Sequence, residues 1–159
     1  MVESGRFKLG AFAYPPPEHP MSPGPSAKTA FRQFMLQALN QGGYTYSARL
    51  PAKHGLGNGQ FRADAVVEKD GRSFLVSLHW ADTPENARRK EKIAYALLCS
   101  ADAVHTGECD RAYLLLGGDG WDENDPLLNG ELLRCLRNVE NVRIFKALDF
   151  TALARRGKL

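Results

Sequence analysis

Residues 61–80 decide the fold: Phe-Arg-Ala-Asp-Ala-Val-Val-Glu-Lys-Asp-Gly-Arg-Ser-Phe-Leu-Val-Ser-Leu-His-Trp. Two short runs rich in β-branched and aromatic residues, 61–67 and 74–80, flank the pair Asp70-Gly71. Such a pair is typical of a tight hairpin turn, because glycine accepts the positive φ that the turn needs. The stretch therefore predicts two antiparallel strands.

The alternation of side chains along these strands predicts a polar site within the hairpin. Asp64 shares one face of the first strand with Arg62. On the second strand, Ser77 and His79 lie on one face, and the opposite face is apolar, formed by Phe74, Val76, Leu78 and Trp80. An acid and a Ser-x-His triplet are unusual in the core of a hairpin, which indicates that they form a site.

Composition sets the broad class of protein. A chain of 159 residues is long enough for one domain with a sizeable core, and its 43% apolar and 25% charged residues are ordinary for a globular protein. The net charge of +3 neither requires nor excludes a polyanionic partner. Three cysteines without CxxC spacing indicate reduced thiols and a cytoplasmic location. No membrane span and no signal peptide are expected, since no apolar run approaches ~20 residues.

The first part of the chain divides at residue 26. Six of the nine prolines lie between positions 15 and 25, which predicts an extended N-terminal arm, 1–25, ahead of a domain at 26–159. Ser26 is a plausible N-cap for a helix that ends at Gly42-Gly43. Its apolar stripe is Phe31, Phe34, Met35, Ala38 and Leu39. A strand at 44–50 and a Gly-rich loop at 53–60 follow, and the loop lacks the spacing of a phosphate-binding P-loop.

The second half of the chain alternates helices and strands. Thr83-Pro84-Glu85 predicts the start of a helix that runs to about Val104. Its predicted buried stripe is Ile93, Ala94, Leu97, Leu98, Ala101 and Val104. A strand at 111–116 leads into Gly117-Gly118-Asp119-Gly120-Trp121, and a helix at 127–136, a strand at 142–145 and a helix at 148–154 complete the chain. The order α-β-β-β-α-β-α-β-α predicts a layered α/β domain with a mixed sheet.

This order and these motifs resemble the PD-(D/E)XK nuclease superfamily. That superfamily has an α-β-β-β-α-β core, an acid on the second strand and an (Asp/Glu)-x-Lys pair on the third. The chain is similar to a branch of small restriction-endonuclease-like proteins that carry Ser-Leu-Lys-Trp and Gly-Gly-x-Gly-Trp, where this chain has Ser77-Leu78-His79-Trp80 and the motif at 117–121. The resemblance covers roughly residues 26–156. It implies a restriction-endonuclease-like three-layer fold, with helices on both faces of a central mixed sheet.

The resemblance also implies a set of site residues. Asp64 matches the first acid, and Ser77 occupies the position of the second. In relatives of the Ser-x-Lys type the second carboxylate comes from the following helix, where Glu91 is suitably placed. Asp64 and Glu91 would then hold Mg²⁺ or Mn²⁺ together with the Leu78 carbonyl, and no organic cofactor is implied.

Position 79 carries histidine where the family has lysine, and Lys92 is a second candidate for the missing cation. As a general base, His79 would make cleavage rise with pH through about 6.5, the pKa of an unperturbed histidine. The replacement of the family's lysine by histidine at position 79 equally indicates a site that has lost its catalytic activity. Asp64 can also be read as a strand acid paired with Arg62, and Glu91 as one charge of a solvated helix. Gln33, on the first helix, is expected at the surface.

The resemblance leaves two main functions open. The first is a metal-dependent DNA endonuclease of the restriction or repair type, and cutting both strands of a duplex would favour a homodimer. The second is a nucleic-acid-binding protein that has kept the fold and lost catalysis, or an accessory subunit whose Pro-rich arm contacts a partner. In either case the predicted phosphate contacts are Arg62, Arg88, Arg89 and Lys90, with a basic tail at Arg155, Arg156 and Lys158.

Overall fold

The structure is a computed structural model that describes residues 26–47, 63–84, 90–122, 130–137 and 139–159. The helices are α1 (Ala27–Gln41), α2 (Lys90–His105), α3 (Glu131–Arg134) and α4 (Ala147–Arg155). The strands are β1 (Thr45–Ser47), β2 (Ala65–Lys69), β3 (Arg72–Trp80), β4 (Arg111–Gly117) and β5 (Val142–Lys146). The order of these elements is the predicted one.

The strands form one five-stranded mixed sheet in the order β1-β2-β3-β4-β5. β1, β2 and β3 are antiparallel neighbours, whereas β3, β4 and β5 run parallel. A parallel neighbour requires a crossover connection, which helix α2 provides between β3 and β4. The β2–β3 hairpin closes at Asp70 and Gly71, with φ of 52° and 74°. Two successive positive φ values define the predicted tight turn.

Helices cover both faces of the sheet, so the domain has three layers. On one face, α1 and α4 pack on the predicted apolar face of β3 through a core that includes Met35, Leu39, Phe74, Tyr113 and Phe150. On the other face, α2 packs on alternate residues of β4, with Ile93, Leu97, Leu114 and Leu116 in the core and α3 at its margin. The α/β class with a central mixed sheet is confirmed.

Helix α1 agrees closely with its prediction. Ser26 caps its start by accepting a hydrogen bond from the Thr29 amide at 3.2 Å, and the helix ends before Gly42. Three residues of the predicted stripe, Met35, Ala38 and Leu39, are fully buried. Helix α1 is therefore packed against the sheet, and Arg32 in its N-terminal half reaches Asp64, just before β2.

The buried face of α2 is rotated from the predicted one. Leu98 was expected in the core but is 42% exposed, and the buried positions include Ala96, Cys99 and Ala103. The spacing from Ile93 explains this, because positions 93, 96, 97 and 100 face the sheet in one helical stripe while 94 and 98 lie beside it. The buried face of α2 is thus made partly of small residues.

Several element boundaries also differ from the predictions. β2 begins at Ala65 instead of residue 61, so Asp64 precedes the strand. Helix α3 ends at Arg134, before the predicted limit of 136. The N-terminal arm, the Gly-rich loop at 53–60 and part of the predicted strand at 44–50 lie outside the described residues. Within the described residues, none of the helices has the length and apolar character needed to span a bilayer.

Candidate functional site at the start of strand β2

Asp64 stands where the ladder between β2 and β3 ends. Its amide still donates to the Val76 carbonyl at 2.8 Å, and the last paired residues of the ladder are Ala65 and Val76. The next β3 amide on this side belongs to Leu78, and it donates to the Asp64 carboxylate Oδ2 at 2.6 Å. The Asp64 side chain thus satisfies an amide that a longer β2 would have bound through its backbone.

The second oxygen of the same carboxylate is bound by an arginine from helix α1. Nη2 of Arg32 donates to Oδ1 of Asp64 in an ion pair. The Asp64 side chain is 10% exposed and that of Arg32 is 37% exposed, so water reaches this pair mainly from the arginine side. The Nε of Arg32 is buried and has no hydrogen-bond partner among the described residues. The guanidinium therefore has one donor, its Nε–H group, without a partner among the described residues.

Ser77 and His79 lie on the same face of β3, as the alternation predicts. Ser77 is 3% exposed, and its hydroxyl is hydrogen-bonded to Nε2 of His79 at 2.9 Å. This bond orients the imidazole on the part of β3 that lies beyond its last described pair with β2. Asp64, Ser77 and His79, three of the predicted site residues, are therefore brought together.

Burial keeps His79 neutral. Desolvation lowers the pKa of His79 from 6.5 to about 4, the Asp64 carboxylate opposes this shift, and the positive charge of Lys28 adds to it. At pH 7 the imidazole carries no charge. His79 therefore does not supply the cation that lysine provides at this position in the resembled family.

Two other predicted residues, Glu91 and Lys92, are not part of this cluster. Glu91 and Lys92 are exposed in the first described turn of α2 and make no hydrogen bond or ion pair with any described residue. Gln33 is exposed, as expected. Arg62, Arg88 and Arg89 lie outside the described residues, and only the backbone of Lys90 is described.

The residues at Asp64 do not fit a divalent cation as they are placed. Both carboxylate oxygens already accept hydrogen bonds, and the guanidinium on Oδ1 would repel a cation held by the same carboxylate. Within the described ranges, no three His, Cys, Asp or Glu side chains are grouped as metal ligands. A magnesium ion would have to displace Arg32 before it could use Asp64.

Sequence reasoning did not find the two basic residues of the site, Lys28 and Arg32. They are four residues apart on α1 and therefore lie on one side of the helix, next to the apolar stripe. That spacing was a readable signal of a basic stripe. Its opposite charge, Asp64, is 32 residues from Arg32 along the chain, so only the packing of α1 on the sheet brings them together.

The motif at 117–121 forms a tight loop at the carboxyl end of β4. The Ala81 amide donates to the Gly117 carbonyl at 2.9 Å, and the Gly120 amide donates to the Ala81 carbonyl at 2.8 Å. The indole Nε1 of Trp121 donates back to the Gly117 carbonyl at 2.9 Å. We refer to residues 117–121 together with 80–83 as the glycine clasp. It fixes the end of β3, where His79 lies, to the end of β4.

Comparison with protein-family models gave no match, and comparison with curated protein sequences gave none either.

Proposed function

We propose that the protein binds DNA through the Asp64 edge of its sheet and that Arg32 stands there in place of a catalytic metal ion. The observation that carries this proposal is the Arg32–Asp64 ion pair, since it joins the carboxylate of a nuclease-like position to a cation from α1. A neutral His79 supports it, because phosphodiester cleavage needs cationic charge near the phosphoryl oxygens and this residue provides none.

The resemblance to the PD-(D/E)XK superfamily supports a nucleic-acid partner. The predicted α-β-β-β-α-β order, with a parallel crossover after the hairpin, is present, and Asp64, one residue before β2, is hydrogen-bonded to β3. A restriction-endonuclease-like fold is accordingly part of the proposal. The fold alone does not specify the activity, so the argument for DNA depends on the charges at the site.

Lys28 and Arg32 are the proposed phosphate contacts. They lie one helical turn apart, near Asp64 and His79, and Arg32 has a donor without a partner among the described residues. A phosphate oxygen would give that donor a partner if the guanidinium turned towards it. Four further basic residues remain predicted phosphate contacts from the sequence: Arg62, Arg88, Arg89 and Lys90.

The first test is the salt dependence of DNA binding. Each phosphate contact contributes about 0.9 to the slope of log K against log salt concentration, because it releases counterions. Replacing both Lys28 and Arg32 with alanine is therefore expected to reduce the slope by about 2, as measured by fluorescence anisotropy on a 20-base-pair duplex.

A matched control removes two charges elsewhere. Arg72 and Arg134 are exposed residues at the hairpin turn and on α3, and their replacement by alanine lowers the net charge equally. If this double variant lost as much slope as the Lys28/Arg32 variant, the effect would be one of total charge, and α1 would not be the contact surface.

A metal-dependent endonuclease is the second candidate. The position of Asp64 favours it, because its carboxylate accepts the Leu78 amide of β3, next to the strand where the resembled family places its lysine. This function requires Mg²⁺ or Mn²⁺ to compete with Arg32 for the carboxylate, with Glu91 as the second acid. Plasmid nicking that depends on either metal, is stopped by EDTA and is lost on Glu91→Gln would establish this candidate over metal-free binding.

Asp64→Asn separates the two functions by the sign of its effect. Asparagine can still accept the Leu78 amide, but it no longer holds Arg32 by charge. In a binding protein, the freed guanidinium should raise DNA affinity by roughly fivefold, corresponding to about 1 kcal/mol for a partly exposed ion pair. In an endonuclease, the same change should abolish metal-dependent nicking. Anisotropy in EDTA and plasmid nicking in Mg²⁺ measure the two outcomes on one preparation.

A further inference from the structure

A cavity of about 580 Å³ lies at the carboxyl ends of the three parallel strands. It is bounded by Trp80, Gly117 and Lys146 at the ends of β3, β4 and β5, and by the first turns of α1 and α4. Ligands of open α/β sheets bind at this kind of position, outside the carboxyl ends of parallel strands. A second cavity, of about 540 Å³, surrounds the hairpin turn at the other end of the sheet, and none of the described residues that line it is aromatic.

The glycine clasp makes the floor of the carboxyl-end cavity rigid. A side chain on Gly117 would lie within 2.7 Å of the Trp80 ring, so the absence of one leaves room for that ring beside β4. The three clasp hydrogen bonds, including the one from the Trp121 indole, hold the second aromatic wall in place. The motif at 117–121 therefore forms part of the cavity. It has no role in the site around Asp64.

The lining combines three kinds of chemistry. Its apolar walls are aromatic, from Phe31, Trp80 and Trp121, and the Phe31 and Trp80 ring centroids are 5.5 Å apart. Carboxylate acceptors come from Asp82, Asp119 and Asp149, of which Asp82 already accepts the Trp80 indole at 2.7 Å. Lys146 supplies a positive charge at the end of β5.

A nucleotide matches this combination better than simpler ligands do. A small cation would suit the three carboxylates, but it would give the aromatic walls and Lys146 no role. An apolar group would leave the carboxylates desolvated without donors. A nucleobase stacks on aromatic rings, and the exocyclic amine of cytosine or adenine donates to a carboxylate, while the attached phosphate suits the lysine and the helix ends.

We propose that this cavity takes one unstacked, amine-bearing base of the bound nucleic acid. The inference rests on the proposed DNA binding, and the two sites adjoin on α1, where Phe31, which packs on Trp80, precedes Arg32. A strand whose phosphate lies at Arg32 is therefore next to Phe31, one of the aromatic walls. In this arrangement the Asp64 edge binds the DNA backbone, and the cavity binds and recognises the base.

The test compares three duplexes of 20 base pairs: one fully paired, one with a single unpaired cytosine and one with a single unpaired thymine. The unpaired cytosine should bind roughly 5- to 150-fold more tightly than the fully paired duplex, which is the usual worth of stacking one base. Thymine has no exocyclic amine, so its gain should be smaller. Asp119→Ala should remove the difference between cytosine and thymine.

Tryptophan fluorescence gives a readout that needs no variant. The chain has two tryptophans, and both line the cavity. Stacking of the unpaired base should quench their emission, and the fully paired duplex should quench it less. Trp121→Ala should abolish the preference for the unpaired base, while Leu98→Ala, at an exposed position on α2, should keep it.

The outcomes distinguish the two proposals. Equal binding of all three duplexes, with equal quenching, would overturn the base pocket and leave DNA binding intact. No binding to any duplex would overturn the proposed function itself. If Trp121→Ala fails to fold, the quenching of the wild-type protein still decides the question.

Discussion

Replacing Gly118 with alanine is expected to lower the free energy of unfolding by about 2–5 kcal/mol. Gly118 has a φ of +86°, and a Cβ there would overlap the Ala81 carbonyl oxygen and lie 2.7 Å from its carbonyl carbon. The neighbour is backbone and cannot rotate away. Because that carbonyl accepts the Gly120 amide, moving it also disturbs the clasp. Urea denaturation measures the effect.

Gly71→Ala is the matched control. Gly71 also has a positive φ, +74°, but nothing lies within 4 Å of a Cβ built there. Alanine at this position therefore carries the conformational cost alone, about 1 kcal/mol. Equal losses in the two variants would mean that backbone conformation explains both and that the close approach to Ala81 is not important for stability.

The second large effect is a loss of stability in acid that depends on His79. The unfolded histidine binds a proton below about pH 6.5, whereas the folded one binds it near pH 4, because burial opposes the charge. Between these values the unfolded state holds more protons, so stability falls as the pH is lowered. The loss should reach about 3 kcal/mol below pH 4.

His79→Gln should remove this contribution, since glutamine can still hydrogen-bond to Ser77 and does not titrate. The groups that act on His79 are Asp64, which favours its protonation, and Lys28, which opposes it, and both remain in the variant. Urea denaturation of both proteins from pH 7 to pH 4 is the measurement. His105→Gln, at an exposed position, is the control and should follow the wild type. Parallel curves for wild type and His79→Gln would contradict the burial of a neutral imidazole.

The same pKa revises the expected behaviour of an endonuclease. A histidine base with an ordinary pKa would make cleavage rise through about pH 6.5. With a pKa near 4, His79 is neutral throughout the range from pH 5.5 to 8, so its titration produces no such rise. A cleavage rate that did rise there would have to be assigned to another group.

Much of the fold could be predicted from the sequence because the signals are local. Three features depend only on residues a few positions apart in the sequence, and all were found where expected: the Asp70-Gly71 turn, the Ser26 cap and the stripe of α1. The alternation on β3 placed Ser77 and His79 together for the same reason. The sequence did not predict which face of α2 is buried around Leu98. The buried face contains small residues, whose hydropathy differs little from that of the residues beside them.

By itself, then, the sequence determined the order of the elements, the hairpin and the position of Asp64 beside Ser77 and His79. Only the tertiary structure decided how these residues behave. It brought Arg32 into an ion pair with Asp64, and it buried His79 so that the pKa of the imidazole fell and the ring is neutral at pH 7. It also hydrogen-bonded the glycine motif to the end of β3, where the two line a cavity. The physical reason is that a charge partner, a desolvation or a close backbone approach depends on which distant segments pack together. Spacing along the chain does not specify that packing.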